Sequence, residues 1–213
     1  MPDQLLSKSR LRRFRLSVRG FIVLILIIGA GLSRLVHGAR LQRDAVAAIR
    51  NAGGSAFYNW ENPLKCGGTK SRDLCPRWLV DHLGVDYFGH VKWVVSDASN
   101  VDSLLIGHLN QVRILDLHGS ALTDDGLSCL HSLTRVENMQ LRGTKVTDVG
   151  LGQLEGFVSL ALLDISETGV SDAGLNRLKF LPRLEWLNLR GTRVTDVGVR
   201  SLQKVLPHLE IVR

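Results

Sequence analysis

Cysteine is scarce in this chain, with three in 213 residues, too few for a small domain built on disulfides. A general basic excess is also absent. The formal net charge is +7, but residues 1–50 hold ten Lys and Arg against two Asp, leaving seventeen basic and eighteen acidic groups in the remainder. A nucleic-acid module carries its basic stripe on the folded face, so DNA or RNA binding is not expected. Catalytic motifs are missing as well. The seven histidines, His37, His82, His90, His108, His118, His131 and His208, include no i, i+4 pair with a glutamate, and no nucleophile elbow is present. Gly68-Thr69-Lys70-Ser71 has no Gly directly before Lys-Ser and no Gly five residues before that, so it is not a phosphate loop. No catalytic residue, cofactor or metal is expected, and the chain is read as a non-enzyme.

Long apolar runs are few. Gly20 to Ser33, GFIVLILIIGAGLS, is fourteen residues between Arg19 and Arg34. As a helix it covers about 21 Å, short of a hydrocarbon core of about 30 Å. With Val18, Leu35 and Val36 counted and both arginines snorkelling, it reaches about nineteen residues, a marginal span. The small residues Gly29, Ala30 and Gly31 also fit a cleaved signal peptide. The six basic residues before Gly20 argue against a buried core helix. The expected organisation is a basic cytoplasmic leader over 1–19, a transmembrane anchor over 20–36 and a helical stalk over 37–53 ending at Gly53. Residues 8–36 face membrane lipid. The basic side of the anchor stays cytoplasmic and the following domain lies on the non-cytoplasmic side.

The second half of the chain repeats itself. Thr123-Asp124, Thr147-Asp148, Ser171-Asp172 and Thr195-Asp196 are 24 residues apart, as are Gly126, Gly150, Gly174 and Gly198. The triplets Val112/Leu115/Leu117, Val136/Met139/Leu141, Leu160/Leu163/Ile165 and Leu184/Leu187/Leu189 keep the same step. One period upstream falls on Phe88/Val91/Trp93, a diverged first copy, and a truncated copy begins at Leu209, shifted by one residue. Each triplet ends in the alternation of a short strand. A turn follows at Gly119, Gly143 or Gly191, with Glu167 departing from that pattern. The Thr or Ser is placed to cap a short helix, and the Asp after it complements the helix dipole. One such unit cannot bury its own apolar face, so the units must stack.

These units resemble the leucine-rich repeat in the form L-x-x-L-x-L-x-x-T-x-V-T-D-x-G-L. The resemblance implies an α/β solenoid of about five 24-residue repeats over 88–213, with a parallel strand face on one side and short convex helices on the other. The hydroxyl residues Ser120, Thr144, Thr168 and Thr192 take the place of the usual Asn or Cys and can satisfy turn backbone groups. Apart from an insert near residues 61–76, the chain is similar to planctomycete-type, membrane-anchored bacterial repeat proteins, through Ser17 to Phe21, Gln42 to Gly54 and Phe57-Tyr58 ahead of the repeats. Similar repeats occur in ubiquitin-ligase adaptors, but no adaptor box precedes them here.

Residues 54–87 are expected to cap the first repeat, with the aromatics Phe57, Tyr58 and Trp60 buried and a short helix starting near Pro76. Cys66 and Cys75 bracket a glycine-bearing loop. A disulfide and free thiols both fit this pair, and Cys129 falls at a variable helix position. On the sheet, the outward columns read His90, Ile114, Asn138, Leu162, Trp186; then Lys92, Asp116, Gln140, Asp164, Asn188; then Val94, His118, Arg142, Ser166, Arg190. Asp116 and Asp164 lie about 9–10 Å apart at ~4.8 Å per strand and are read as solvated carboxylates. Trp186, Leu162, Arg142, Arg190 and His118 form the candidate protein-binding cluster on the concave sheet face, since Trp and Arg anchor interfaces. The expected role is a membrane-anchored protein-binding scaffold. The alternative is a structural envelope protein that self-associates as a homo-oligomer through its last, uncapped repeat.

Overall fold

The computed structural model describes residues 18–58, 90–96 and 103–213, with only the backbone described at 18–24 and 103–104. The chain divides into two compact units, Met1–His37 and Gly38–Arg213. A single 34-residue helix, α1 (Val18–Asn51), runs through the expected anchor and stalk. In the first unit Ile25, Leu26, Ile27, Ile28, Leu32 and Leu35 are all exposed. Among the described residues no helix is long and apolar enough to cross a membrane. The expected anchor over 20–36 has an uncharged stretch, Gly20 to Ser33, which as a helix is about 9 Å shorter than a hydrocarbon core.

In the second unit the rest of α1 is docked rather than a free stalk, because Ala45, Val46 and Ile49 are buried in the core. The helix stops at Gly53, whose φ of 85° only glycine adopts readily. The chain then enters β1 (Ser55–Tyr58), which pairs antiparallel with β2 (Val91–Val95). From β2 onward every pairing is parallel and in chain order, through β3 (Ile114–Asp116), β4 (Asn138–Gln140), β5 (Leu162–Asp164), β6 (Trp186–Asn188) and β7 (Glu210–Val212). The returns carry α2 (Ser103–Ile106), α3 (Asp124–Ser128), α4 (Asp148–Leu151), α5 (Asp172–Leu175) and α6 (Asp196–Val205), with 3-10 turns at Gly152–Gly156 and Leu178–Phe180. This is a solenoid of stacked strand-and-helix coils with a parallel strand face, as the period predicts. Residues 59–89, including most of the expected cap and the Cys66–Cys75 pair, lie outside the described residues.

The periodic apolar positions build the core. Leu115, Met139, Leu163 and Leu187 point inward from the strands, and Leu127, Leu151, Leu175 and Leu178 meet them from the helical side, all buried. Each such side chain contributes about 1.5–3 kcal/mol relative to exposure. Leu133, Phe157 and Leu181 close the coils.

The first coil differs from the expected register. Trp93 pairs with Ile114, Val94 with Leu115 and Val95 with Asp116, so its inward residues are Val91, Val94 and Ser96, all buried. The unit is 21 residues long, not 24. Phe88/Val91/Trp93 is therefore not its triplet, and Trp93, rather than His90, heads the first outward column. At the other end Ile211 pairs with Leu187, so the one-residue shift at Leu209 is absorbed before the strand.

The T-D-x-G element joins one coil to the next. The hydroxyls of Thr123, Thr147, Ser171 and Thr195 accept from N–H groups in the first turn of their own helices, as expected. Asp124 also accepts the main-chain N–H and the hydroxyl of Thr147 in the following coil, at 2.8 and 2.6 Å. Asp148 holds Ser171 at 2.7 and 2.6 Å, and Asp172 holds Thr195 at 2.7 and 2.6 Å. A Cβ at Gly150, Gly174 or Gly198 would collide with the carboxylate of Asp124, Asp148 or Asp172. The glycine leaves room for the preceding coil's carboxylate, which is why both recur with one period. In the last described coil Asp196 is paired with Arg213, which also donates to the Val194 carbonyl at 3.0 Å.

The strand-end turns form a second ladder. The hydroxyls of Ser120, Thr144, Thr168 and Thr192 each donate to the carbonyl three residues back, at 2.7, 2.7, 2.6 and 2.7 Å. Gly119, Gly143 and Gly191 turn there with φ of 66°, 66° and 68°. Glu167 occupies the same site at φ 57°.

Candidate interaction face

The second outward column is polar for a structural reason. Asp116 Oδ1 accepts the His118 main-chain N–H at 3.2 Å, Asp164 Oδ1 accepts that of Ser166 at 2.8 Å, and Asn188 Oδ1 accepts that of Arg190 at 3.2 Å. These side chains imitate a backbone turn and end their strands. Asp164 goes further. It is only 8% exposed, and it also accepts from the Ser166 hydroxyl at 2.6 Å and Asn188 Nδ2 at 3.0 Å. It is a buried carboxylate with three donors on its two oxygens, which corrects its reading as a solvated one.

The other two columns present the contact chemistry. The first runs Trp93, Ile114, Asn138, Leu162, Trp186, Glu210, one residue per strand from β2 to β7. Trp93 also packs on Phe57, with ring centroids 5.8 Å apart. Leu162 is 38% exposed and lies beside half-buried Trp186. The third column carries His118, Arg142 and Arg190, all exposed. His118 Nδ1 is 2.7 Å from Asp116. The Arg142 guanidinium donates to Glu167 at 2.7 Å, and this contact raises its already high pKa. Arg190 has no ion-pair partner among the described residues. The five candidate residues thus share one face, with Arg142 and His118 held by neighbours and Trp186, Leu162 and Arg190 available to contact a partner.

A basic corner on the same face was not anticipated. Lys92 and Arg113 sit one residue ahead of Trp93 and Ile114. Arg135 Nη1 and Lys92 Nζ both reach Gln111 Oε1, at 2.7 and 3.4 Å. Burial pushes the Lys92 pKa down, and the neighbouring Arg113 and Arg135 push it further, against the opposing pull of Glu137. His90 is also lowered, by burial first and then by Lys92 and Arg135. Glu137 is committed to Arg113 at 2.9 Å. The register change of the first coil hid this grouping in the sequence. Among the described residues no group of three or more His, Cys, Asp or Glu is placed to hold a metal ion.

No family model and no curated protein matches the chain. Solved structures do resemble it. The leucine-rich-repeat ectodomain of the receptor kinase SOBIR1 from Arabidopsis thaliana is 16% identical, with 81% of this chain and 91% of that one covered and a TM-score of 0.49. A leucine-rich-repeat protein of Leptospira interrogans is 15% identical over 52% of this chain and 39% of its own, with a TM-score of 0.33. An internalin from Listeria monocytogenes is 18% identical over 55% and 45%, with a TM-score of 0.36.

Proposed function

We propose that this chain is a non-enzymatic repeat protein, held at a lipid bilayer by its leader, that works by docking another protein on the outward face of its sheet. One observation carries the reading. Exposed Leu162 and half-buried Trp186 lie side by side on the face that also carries Arg190, which has no ion-pair partner among the described residues, while Asp116, Asp164 and Glu167 on that face are committed to partners within the chain. Apolar and aromatic groups that share a face with an arginine are frequent interface anchors. The described face is small. Five gaps between β2 and β7 span roughly 24 Å, and a standard interface needs about 800 Å² per partner, so docking is weak unless confinement to a membrane raises the effective concentration. The exposed apolar side chains from Ile25 to Leu35 and the basic residues that flank the apolar run in the sequence support such a tether, with the N-terminus cytoplasmic and the repeats on the other side. Proximity labelling in the native host tests the docking, comparing wild type with Trp186→Ala/Arg190→Ala at equal expression. The reading expects specific neighbours whose recovery falls at least fivefold in the variant; equal recovery refutes it.

A further inference from the structure

The first outward column is a palindrome. Trp93, Ile114, Asn138, Leu162 and Trp186 read aromatic, aliphatic, amide, aliphatic, aromatic along β2 to β6, in unbroken parallel register. The column one residue ahead runs from basic to acidic across the sheet, with Ala161 standing opposite Arg113. Lys92 and Arg113 lie at one end and Glu185 at the other, with Glu137 in the middle. We propose that the outward face over β2–β6 docks a second copy of this chain, related by a two-fold axis running along β4 between the two faces. This rests on the face being a protein-contact surface and names its occupant.

That axis reverses strand order while keeping strand direction. Trp93 of one copy therefore meets Trp186 of the other, Ile114 meets Leu162, and Asn138 meets Asn138, where two side-chain amides can exchange hydrogen bonds. In the column ahead, Lys92 meets Glu185. Neither has an ion-pair partner among the described residues, and the Lys92 ammonium is crowded by Arg113 and Arg135. An isologous interface needs this kind of self-matching pattern, which a face shaped for an unrelated protein has no reason to carry. The like-charged matches engage partners within each copy; Arg142, also on the axis, is paired with its own Glu167 at 2.7 Å. Glu137 sits on the axis but is paired with its own Arg113 at 2.9 Å. Asp116 meets Asp164, but Asp164 is buried under three donors and Asp116 is held by His118. A face spanning four gaps, roughly 19 Å, is below the standard interface size, so the dimer is weak in dilute solution and favoured where a tether concentrates the chain.

The test uses the full chain in mild detergent micelles with a short bismaleimide cross-linker. Asn138→Cys, on the axis, should give at least tenfold more covalent dimer than Val149→Cys, an exposed position on the helical side; the native cysteines are common to both. In the Asn138→Cys background, Lys92→Glu or Glu185→Lys alone should lower the yield at least fivefold. The two together should restore it to within twofold, with unchanged circular dichroism melting throughout. Equal yields from Asn138→Cys and Val149→Cys overturn the proposal, as does a double charge reversal that restores nothing. If self-cross-linking fails while Trp186→Ala/Arg190→Ala still loses neighbours in the host, self-docking is refuted and the protein-contact reading stands.

Discussion

Asp148 grips Ser171 of the following coil with both oxygens, one on the main-chain N–H at 2.7 Å and one on the hydroxyl at 2.6 Å. The same grip is repeated by Asp124 and Asp172. It makes the short helices into connectors, since the cap residues Thr147, Ser171 and Thr195 are each held by the coil before.

Asp148→Ala leaves the Ser171 donors without these acceptors. A partly buried donor left unmet costs about 1–3 kcal/mol, so thermal unfolding should fall by roughly 3–9 °C. Gly174→Ala should cost a similar amount, because its Cβ meets the Asp148 carboxylate. The two changes share one cause. The double variant should therefore fall short of the sum by about 0.5–3 kcal/mol, measured by calorimetry. Strict additivity would show that glycine and aspartate are unrelated.

Acid should loosen these connections. The Thr195 hydroxyl and main-chain N–H hold the Asp172 carboxyl below its usual range, with Arg213 adding to the effect and burial opposing it. A carboxylate with a depressed folded pKa contributes stability that is fully present above its unfolded value of about 3.9 and is lost as pH falls through the lower folded value. Asp172→Asn should therefore destabilise at pH 7 and flatten the stability profile below about pH 4. An unchanged acid limb in denaturant titrations would refute the link.

Glu167 takes a left-handed turn where its counterparts are glycines. That conformation costs a non-glycine residue about 1–2 kcal/mol. Glycine would relieve it but adds unfolded-state freedom of about 0.4–1 kcal/mol and removes a solvent-screened ion pair with Arg142. Glu167→Gly should thus change stability by less than about 1 kcal/mol, while β-branched Glu167→Val should lose more than about 1 kcal/mol. Equal stability of the two variants by chemical denaturation would contradict this.

The proposed tether makes its own prediction. Host membranes washed with alkaline carbonate should retain the full chain, and Ile25→Glu/Ile28→Glu should release it. A wild-type chain found wholly in the soluble fraction rules the tether out.

Much of the solenoid is legible in the sequence because its inward residues obey a fixed step. Leu115, Met139, Leu163 and Leu187 are each 24 residues apart and each fully buried. The first coil departs from that step, which carried back puts Phe88, Val91 and Trp93 inward. Its actual frame, Val91-x-x-Val94-x-Ser96, is disguised by a serine in its last apolar slot. The Thr-Asp pair reads locally as a helix cap. Its grip on the next coil depends on contacts 23 residues away, and the one local sign of it is a glycine at a helical position that no turn requires. The strand alternation puts the five candidate residues on the outward side of the sheet, while the pairing of Arg142 with Glu167 and the burial of Asp164 depend on neighbouring coils and needed the structure.

The most direct measurement of the central claim is site-specific photocross-linking in the native host, with a photoreactive residue in place of Leu162 on the sheet face or of Val149 on the helical side. The account predicts discrete protein adducts, to a second copy or to another protein, from position 162 and far weaker ones from position 149. Adducts of equal yield from both positions, or none from 162, would contradict it.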